Sequence, residues 1–272
     1  MRDIKFLEDN GVDIKKSLEL FGDYNTYNET IGEFLVGIHN KINKLIKFMQ
    51  SQDMANYAIY AHSMKSDAAY FGFTKLSEMA QEHELHSKAG DMYFVTEHIN
   101  DLITETNNAI TLIQKYMGDK ETPDTKQPEK ESNNVQTNPE DIYDKKTILV
   151  VDDSNIVRNF VKRIFSEKYN VGTAKDGEEA IRLIKANQDN DFIETILLDL
   201  NMPKVDGFAV LNFMQENNLF SKIPVSIISG DSSKETIDKA FTYQIVDMLS
   251  KPFSEQSVKM VIEKTLIYKD MI

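Results

Sequence analysis

The segment DKETPDTKQPEKESNNVQTNPEDIYD, residues 119–144, constrains the chain more than any other. It holds Pro123, Pro128 and Pro139, half of the six prolines in the sequence, and almost no large apolar side chain. Such a stretch cannot bury enough surface to offset its own ordering entropy, so no single core can run through it. As a flexible coil it would span roughly 28 Å root-mean-square, with the prolines stiffening it. The 272 residues are therefore expected to form a domain over 1–118, an acidic, proline-containing linker over 119–145 and a second domain over 146–272. Both domains are long enough to bury a core.

The two sides follow different periodicities. Before the linker, NETIGEFLVGIHNKINKLIKFMQ, ANYAIYAHSMKSDAAYF, KLSEMAQEHELHSKA and MYFVTEHINDLITETNNAITLIQKYM repeat apolar residues at helical spacing, after a short helical lead-in near IKKSLELF. The expectation is an all-α antiparallel helical bundle. After it, short β-branched runs (TILVV, NVGTA, TILLDL, PVSIIS, IVDMLS) alternate with amphipathic helical stretches, the pattern of an α/β fold with a parallel sheet covered on both faces.

Composition removes several function classes. With no cysteine the chain has neither disulfides nor thiolate metal sites, so a metal must be held by oxygen or imidazole. A net charge of −13 without clustered Lys and Arg argues against nucleic acid. No apolar run approaches the ~20 residues of a membrane span, and MRDIKFLEDNG does not open like a signal peptide, so a cytoplasmic protein with no membrane partner is expected.

In a doubly wound fold the functional residues gather where the strands end. ILVV is followed by Asp152 and Asp153, ILL by Asp199, VSII by Ser229 and DMLS by Lys251 and Pro252. Three carboxylates that converge need a hard cation to relieve their repulsion, and Mg²⁺ with phosphate oxygens suits them. Lys251 and Ser229 would then donate to a phosphoryl group on Asp199. In VVDDS, LLDLNMPKVDG, SIISGD and SKPF, residues 146–272 resemble the receiver domain of two-component response regulators. That resemblance implies a five-stranded sheet of order 2-1-3-4-5. It also implies Asp199 as phosphoacceptor, Mg²⁺ held by Asp152, Asp153, Asp199 and the Asn201 main-chain carbonyl, Ser229 and Lys251 at the phosphoryl oxygens, and a cis Lys251–Pro252 bond. Met248 stands where many receivers carry a switch aromatic. No DNA-binding output domain is expected.

One helix of the first domain poses its own question. In IYAHSMKSDAAYFGF the stripe Tyr57, Ala61, Met64, Ala68 and Phe71 is the core face, and His62 lies roughly 140° from its centre. His62 is expected to face water, with Ala58, Lys65, Ser66 and Ala69 around it. A nucleophilic imidazole beside an ammonium on a surface trimmed of bulk suits a phosphoryl carrier that another active site must reach. HSMKSDAAYFG is similar to the motif of histidine-containing phosphotransfer domains, over about 4–117. The similarity implies His62 as carrier, Lys65 as the cation that steadies the phosphoryl group, and Gly72 as a close-packing site, with Ser66 at a position commonly glycine. His83 and His86 read as part of a solvated face, and Tyr70 and Phe71 as packing residues.

The expected function is phosphorelay: Asp199 and His62 exchange a phosphoryl group with partners or with each other. No nucleotide box is visible, so a histidine kinase, another receiver or another phosphotransfer protein is the expected partner, and receiver-mediated dimerisation stays open. The competing reading makes the chain a phosphorylation switch with a helical docking module. A haloacid-dehalogenase-like phosphatase is disfavoured, because Asn201 stands where those enzymes carry their acid–base aspartate. The protein is expected to be no enzyme beyond promoting its own phosphorylation and slow dephosphorylation.

Overall fold

The computed structural model describes residues 3–118, 146–187, 192–231 and 233–271. The expected linker, 119–145, lies outside the described residues.

The first domain contains α1 (Ile4–Asp9), α2 (Ile14–Phe21), α3 (Tyr24–Gln50), α4 (Met54–Tyr70), α5 (Thr74–Lys88) and α6 (Met92–Met117). Every one of these helices except α5 begins behind an aspartate, Asp3, Asp13, Asp23, Asp53 or Asp91, whose carboxylate accepts a backbone N–H of the first turn. The cap satisfies an orphan donor and sets a negative charge at the positive end of the helix dipole. The stripe expected on α4 is buried, with Phe71 stacked on Phe34 at 4.6 Å between ring centres. Gly72 follows at φ +78°, and a Cβ there would meet the Asp13 carbonyl oxygen at 2.5 Å. The turn therefore needs glycine, as expected from its position.

The second domain runs β1 (Thr147–Val151), α7 (Asn155–Phe165), β2 (Asn170–Ala174), α8 (Gly177–Asn187), β3 (Ile193–Asp199), α9 (Gly207–Glu216), β4 (Val225–Ser229), α10 (Lys234–Ala240), β5 (Ile245–Ser250) and α11 (Glu255–Lys269). All pairings are parallel and the strand order is β2-β1-β3-β4-β5, as the resemblance implied. Every residue of the central strand β3 is buried. Residues of α8, α9 and α10 pack on one sheet face, with Met248 at the margin of that core.

The opposite sheet face, covered by α7 and α11, belongs to a core continuous with that of the bundle. Phe21 meets Phe160 edge-on at 6.4 Å, and Tyr70 meets Phe253 edge-on at 6.0 Å. The two domains are thus docked, with α4 laid across the carboxyl ends of the strands.

Candidate phosphotransfer site

The sheet brings the strand-end residues together as expected. Asp152, Asp153 and Asp199 offer oxygens that all lie within 4.8 Å of one another. Lys251 reaches between them, its Nζ 2.7 Å from an oxygen of both Asp152 and Asp199. Two turns fix the carboxylates: Ser154 N–H donates to Asp152 (2.9 Å) and Asn201 N–H donates to Asp199 (3.1 Å). Burial pushes the Asp152 carboxyl up to about 7, helped by the charges of Asp199 and Asp153 and opposed by Lys251. Burial alone would lower the Lys251 ammonium, but the charges of Asp152 and Asp199 outweigh it and hold it well above the ordinary lysine range. Three carboxylates against one ammonium leave an excess of negative charge in a desolvated rim. The Lys251–Pro252 peptide is cis. Ser229 Oγ takes part in a local turn with Asp231.

His62 corrects the sequence reading. It does not face water: it is 2% exposed, buried beneath the rim of the second domain. A Cβ built on Gly230 would lie 2.8 Å from His62 Cε1, 2.9 Å from Nε2 and 3.3 Å from Ser66 Oγ, so only glycine after Ser229 leaves room for the imidazole. The face of small residues on α4 is a contact surface, and ten of the helix's residues are buried. Helical periodicity assigned the small, polar face to solvent because it recognises only apolar cores.

The contacts across that face are specific. Ser63 Oγ donates to Asp153 Oδ2 (2.6 Å), and Ser154 Oγ donates to Asp67 Oδ1 (2.8 Å). Ser154 also caps α7, so Asp67 places a carboxylate at that helix's N-terminus, where the dipole favours it. Lys41 pairs with the other Asp67 oxygen. Farther out, Asn159 donates to the Glu33 carboxylate (2.9 Å) and Arg163 to the Phe21 carbonyl (3.4 Å).

A residue the sequence reading missed orients the imidazole. Glu84, buried on α5, accepts from His62 Nδ1 at 2.8 Å and pairs with Lys65 at 2.7 Å and Lys88 at 2.7 Å. Burial pushes the Glu84 carboxyl up, but the His62 hydrogen bond and the His62 and Lys65 charges outweigh it and hold it well below the usual carboxylate range. In the neutral ring, an ionised carboxylate at Nδ1 keeps the proton there and leaves the Nε2 lone pair free. In sequence Glu84 is one glutamate in EHELH, with nothing to mark it. His83 corrects the same reading: it is buried and hydrogen-bonded to Tyr57 OH at 2.7 Å, not part of a solvated face. Burial lowers its imidazole to about 4. His86 is half-exposed and stacks on Phe94. A cavity of about 480 Å³ runs along α4 beside His62 and reaches Asn201.

The comparisons with known proteins give the families of the two domains. Residues 148–263 match the family model described as response regulator receiver domain, and residues 29–109 match the Hpt domain. The chemotaxis protein CheY1 of Helicobacter pylori is 30% identical over 121 residues, covering 44% of this chain and 95% of that protein. The chain belongs to the response regulator receiver family. It joins that receiver domain to an Hpt domain. The probable C4-dicarboxylate response regulator DctR of Bacillus subtilis is also 30% identical, over 128 residues, 46% of this chain and 54% of that protein. The chain thus spans about half the length of DctR and nearly all of CheY1. The Francisella response regulator 1452 receiver domain, a solved structure, is 30% identical and covers 47% of this chain and 99% of its own, with a TM-score of 0.40.

Proposed function

We propose that this two-component phosphorelay protein moves a phosphoryl group between Asp199 of its receiver and His62 of its own Hpt domain. The observation that carries the reading is the seat of the His62 ring against Gly230, at the rim where Asp199, Asp152, Asp153 and Lys251 converge.

The acidic donor set, oxygen-only and in excess over its single ammonium, fits a divalent ion. Asp152, Asp153, Asp199 and the Asn201 carbonyl would hold Mg²⁺, which when bound neutralises phosphoryl oxygens and carboxylates. The chain's own residues do the remainder. Lys251 and Ser229 bind the phosphoryl oxygens on Asp199, and Glu84 holds the Nδ1 proton and the ring plane of His62. The Nε2 lone pair forms the N–P bond as the P–O bond to Asp199 breaks, and the carboxylate departs with that electron pair. The reverse step loads Asp199 from phosphohistidine. Lys65 and Lys88 gather positive charge beside the ring, which favours the arriving phosphoryl group. Domain docking excludes water and places both groups in one chain, so transfer becomes unimolecular.

A histidine kinase or another phosphorelay protein would supply the phosphoryl group, and a cytoplasmic setting belongs to the same reading. Among the described residues no helix is long and apolar enough to cross a membrane. The test loads the full chain with acetyl phosphate and Mg²⁺ and separates aspartyl phosphate from acid-labile, base-stable phosphohistidine. The wild type should label both residues at a rate independent of protein concentration, His62→Gln only Asp199, and Asp199→Asn neither. A wild-type chain that labels Asp199 alone overturns the proposal.

A further inference from the structure

Three positions one turn apart on α4 share a property that the adjacent row of Ser63 and Asp67 lacks. His62, Ser66 and Tyr70 form an i, i+4, i+8 row, so their side chains lie along one line of the helix. All three are buried, at 2%, 8% and 2% exposure. Each carries a polar atom, Nε2, Oγ and the phenol OH, with no hydrogen-bond partner in the protein. The neighbouring row is satisfied: Ser63 finds Asp153 and Asp67 finds Ser154. A buried hydroxyl without a partner costs about 1–3 kcal/mol, so two hydroxyls in line with the His62 nitrogen, with Asn201 Nδ2 also unpartnered across the contact, call for a ligand.

The placement says which ligand. Ser66 Oγ lies against Gly230, the residue after Ser229, together with the His62 ring. The Tyr70 ring is fixed edge-on to Phe253, two residues beyond Lys251. Its hydroxyl is fully desolvated; burial, opposed by the Lys251 charge and helped by those of Asp152 and Asp199, keeps the phenol protonated and therefore a donor. Phenylalanine would fill the same apolar slot without an orphaned hydroxyl, and Phe71 next to it does so in the core. A phosphoryl group in flight spreads its charge over three equatorial oxygens with several lone pairs each, so acceptor sites stay open even where Mg²⁺, Lys251 and Ser229 would each engage one oxygen.

We propose that the Ser66 and Tyr70 hydroxyls are donors that the Hpt helix lends to the receiver, hydrogen-bonding the phosphoryl oxygens as the group passes between Asp199 and His62. This rests on the transfer reading above. The covalent step is unchanged: one P–O bond breaks, one N–P bond forms, and both hydroxyls keep their protons. The serine at a position commonly glycine then has a use, and the site is composite, complete only when the domains are docked.

The test compares wild type, Tyr70→Phe, Ser66→Ala and the double variant in the full chain. Two readouts are taken: the rate at which label leaves Asp199 for His62 after an acetyl phosphate pulse, and the thermal midpoint of the unphosphorylated protein. The expected result has opposite signs. Transfer falls about tenfold for Tyr70→Phe and further for the double variant, while the midpoint stays level or rises because an unsatisfied buried hydroxyl is gone. Transfer within twofold of wild type in both single variants overturns the inference while leaving the relay intact. A fall in the midpoint that parallels the loss of transfer overturns it in favour of a packing role. A wild-type chain that never labels His62 sinks the relay reading and this inference with it.

Discussion

The two charged clusters that meet at the domain contact are mirror images in sign. In the Hpt domain one buried carboxylate, Glu84, answers two ammonium groups and an imidazole, and its carboxyl is held low. In the receiver one buried ammonium, Lys251, answers Asp152 and Asp199 with Asp153 beside them, and the Asp152 carboxyl is pushed up. Burial raises both carboxyls, but only at Glu84 do the neighbouring hydrogen bond and cations outweigh it, whereas at Asp152 the charges of Asp199 and Asp153 add to it against Lys251. One cluster has a cation deficit, which a divalent ion would fill, and the other a cation surplus, which a phosphoryl group would fill under the proposed transfer. Apposed across one helix, the two clusters would give a phosphoryl group in the proposed transfer a favourable field on both sides.

The largest break in that comparison removes the receiver's minority charge. Lys251→Met leaves Asp152 and Asp199 buried without a counter-ion, and should lose about 3–5 kcal/mol in urea unfolding of the full chain, with Mg²⁺ restoring more stability than it adds to the wild type. Stability equal to wild type would mean that the carboxylates are already neutral. The matching break in the Hpt domain, Glu84→Gln, strands Lys65 and frees the ring tautomer. Stability should fall by about 2 kcal/mol and His62 labelling at least tenfold, read by unfolding and by base-stable label.

Separating the clusters without altering either is a smaller perturbation. Gly230→Ala puts a methyl where the imidazole sits, and should slow transfer to His62 about tenfold, some 1.4 kcal/mol. Acetyl phosphate should still label Asp199; transfer at the wild-type rate would show that the docked pose is not the reactive one. The smallest effect sharpens the contrast between histidines. The His83 imidazole, lowered to about 4 from 6.5 by burial, cannot take up a proton in the fold that the unfolded chain accepts. Wild-type stability should therefore fall as pH drops through that window, with His83 contributing about 1 kcal/mol between roughly pH 7 and pH 5.5. His83→Phe should flatten that slope in thermal unfolding curves recorded against pH; an unchanged slope would exclude His83 as its source.

Much of the candidate site could be read from the chain because strand ends are local features. Asp152, Asp153, Asp199, Ser229 and Lys251 each follow an apolar run, and a parallel sheet can only collect them at one edge. His62 and Lys65 could be read from one helical turn. Glu84 could not, since its meaning depends on how α5 lies beside α4. Nor could Gly230, whose missing side chain matters only because another domain's ring fills the space.

The sequence by itself determined a helical bundle and a five-stranded parallel sheet, together with the candidate nucleophile each offers. Periodicity of 3.6 or 2 and the residue at each strand end are properties of neighbouring positions, and they survive without knowledge of the partner. Only the tertiary structure decided that α4 is buried on two sides, one apolar and one polar. Side chains such as Ser63 and Asp67 look the same in a sequence whether water or another domain satisfies them, so their partners appear only when the domains are brought together.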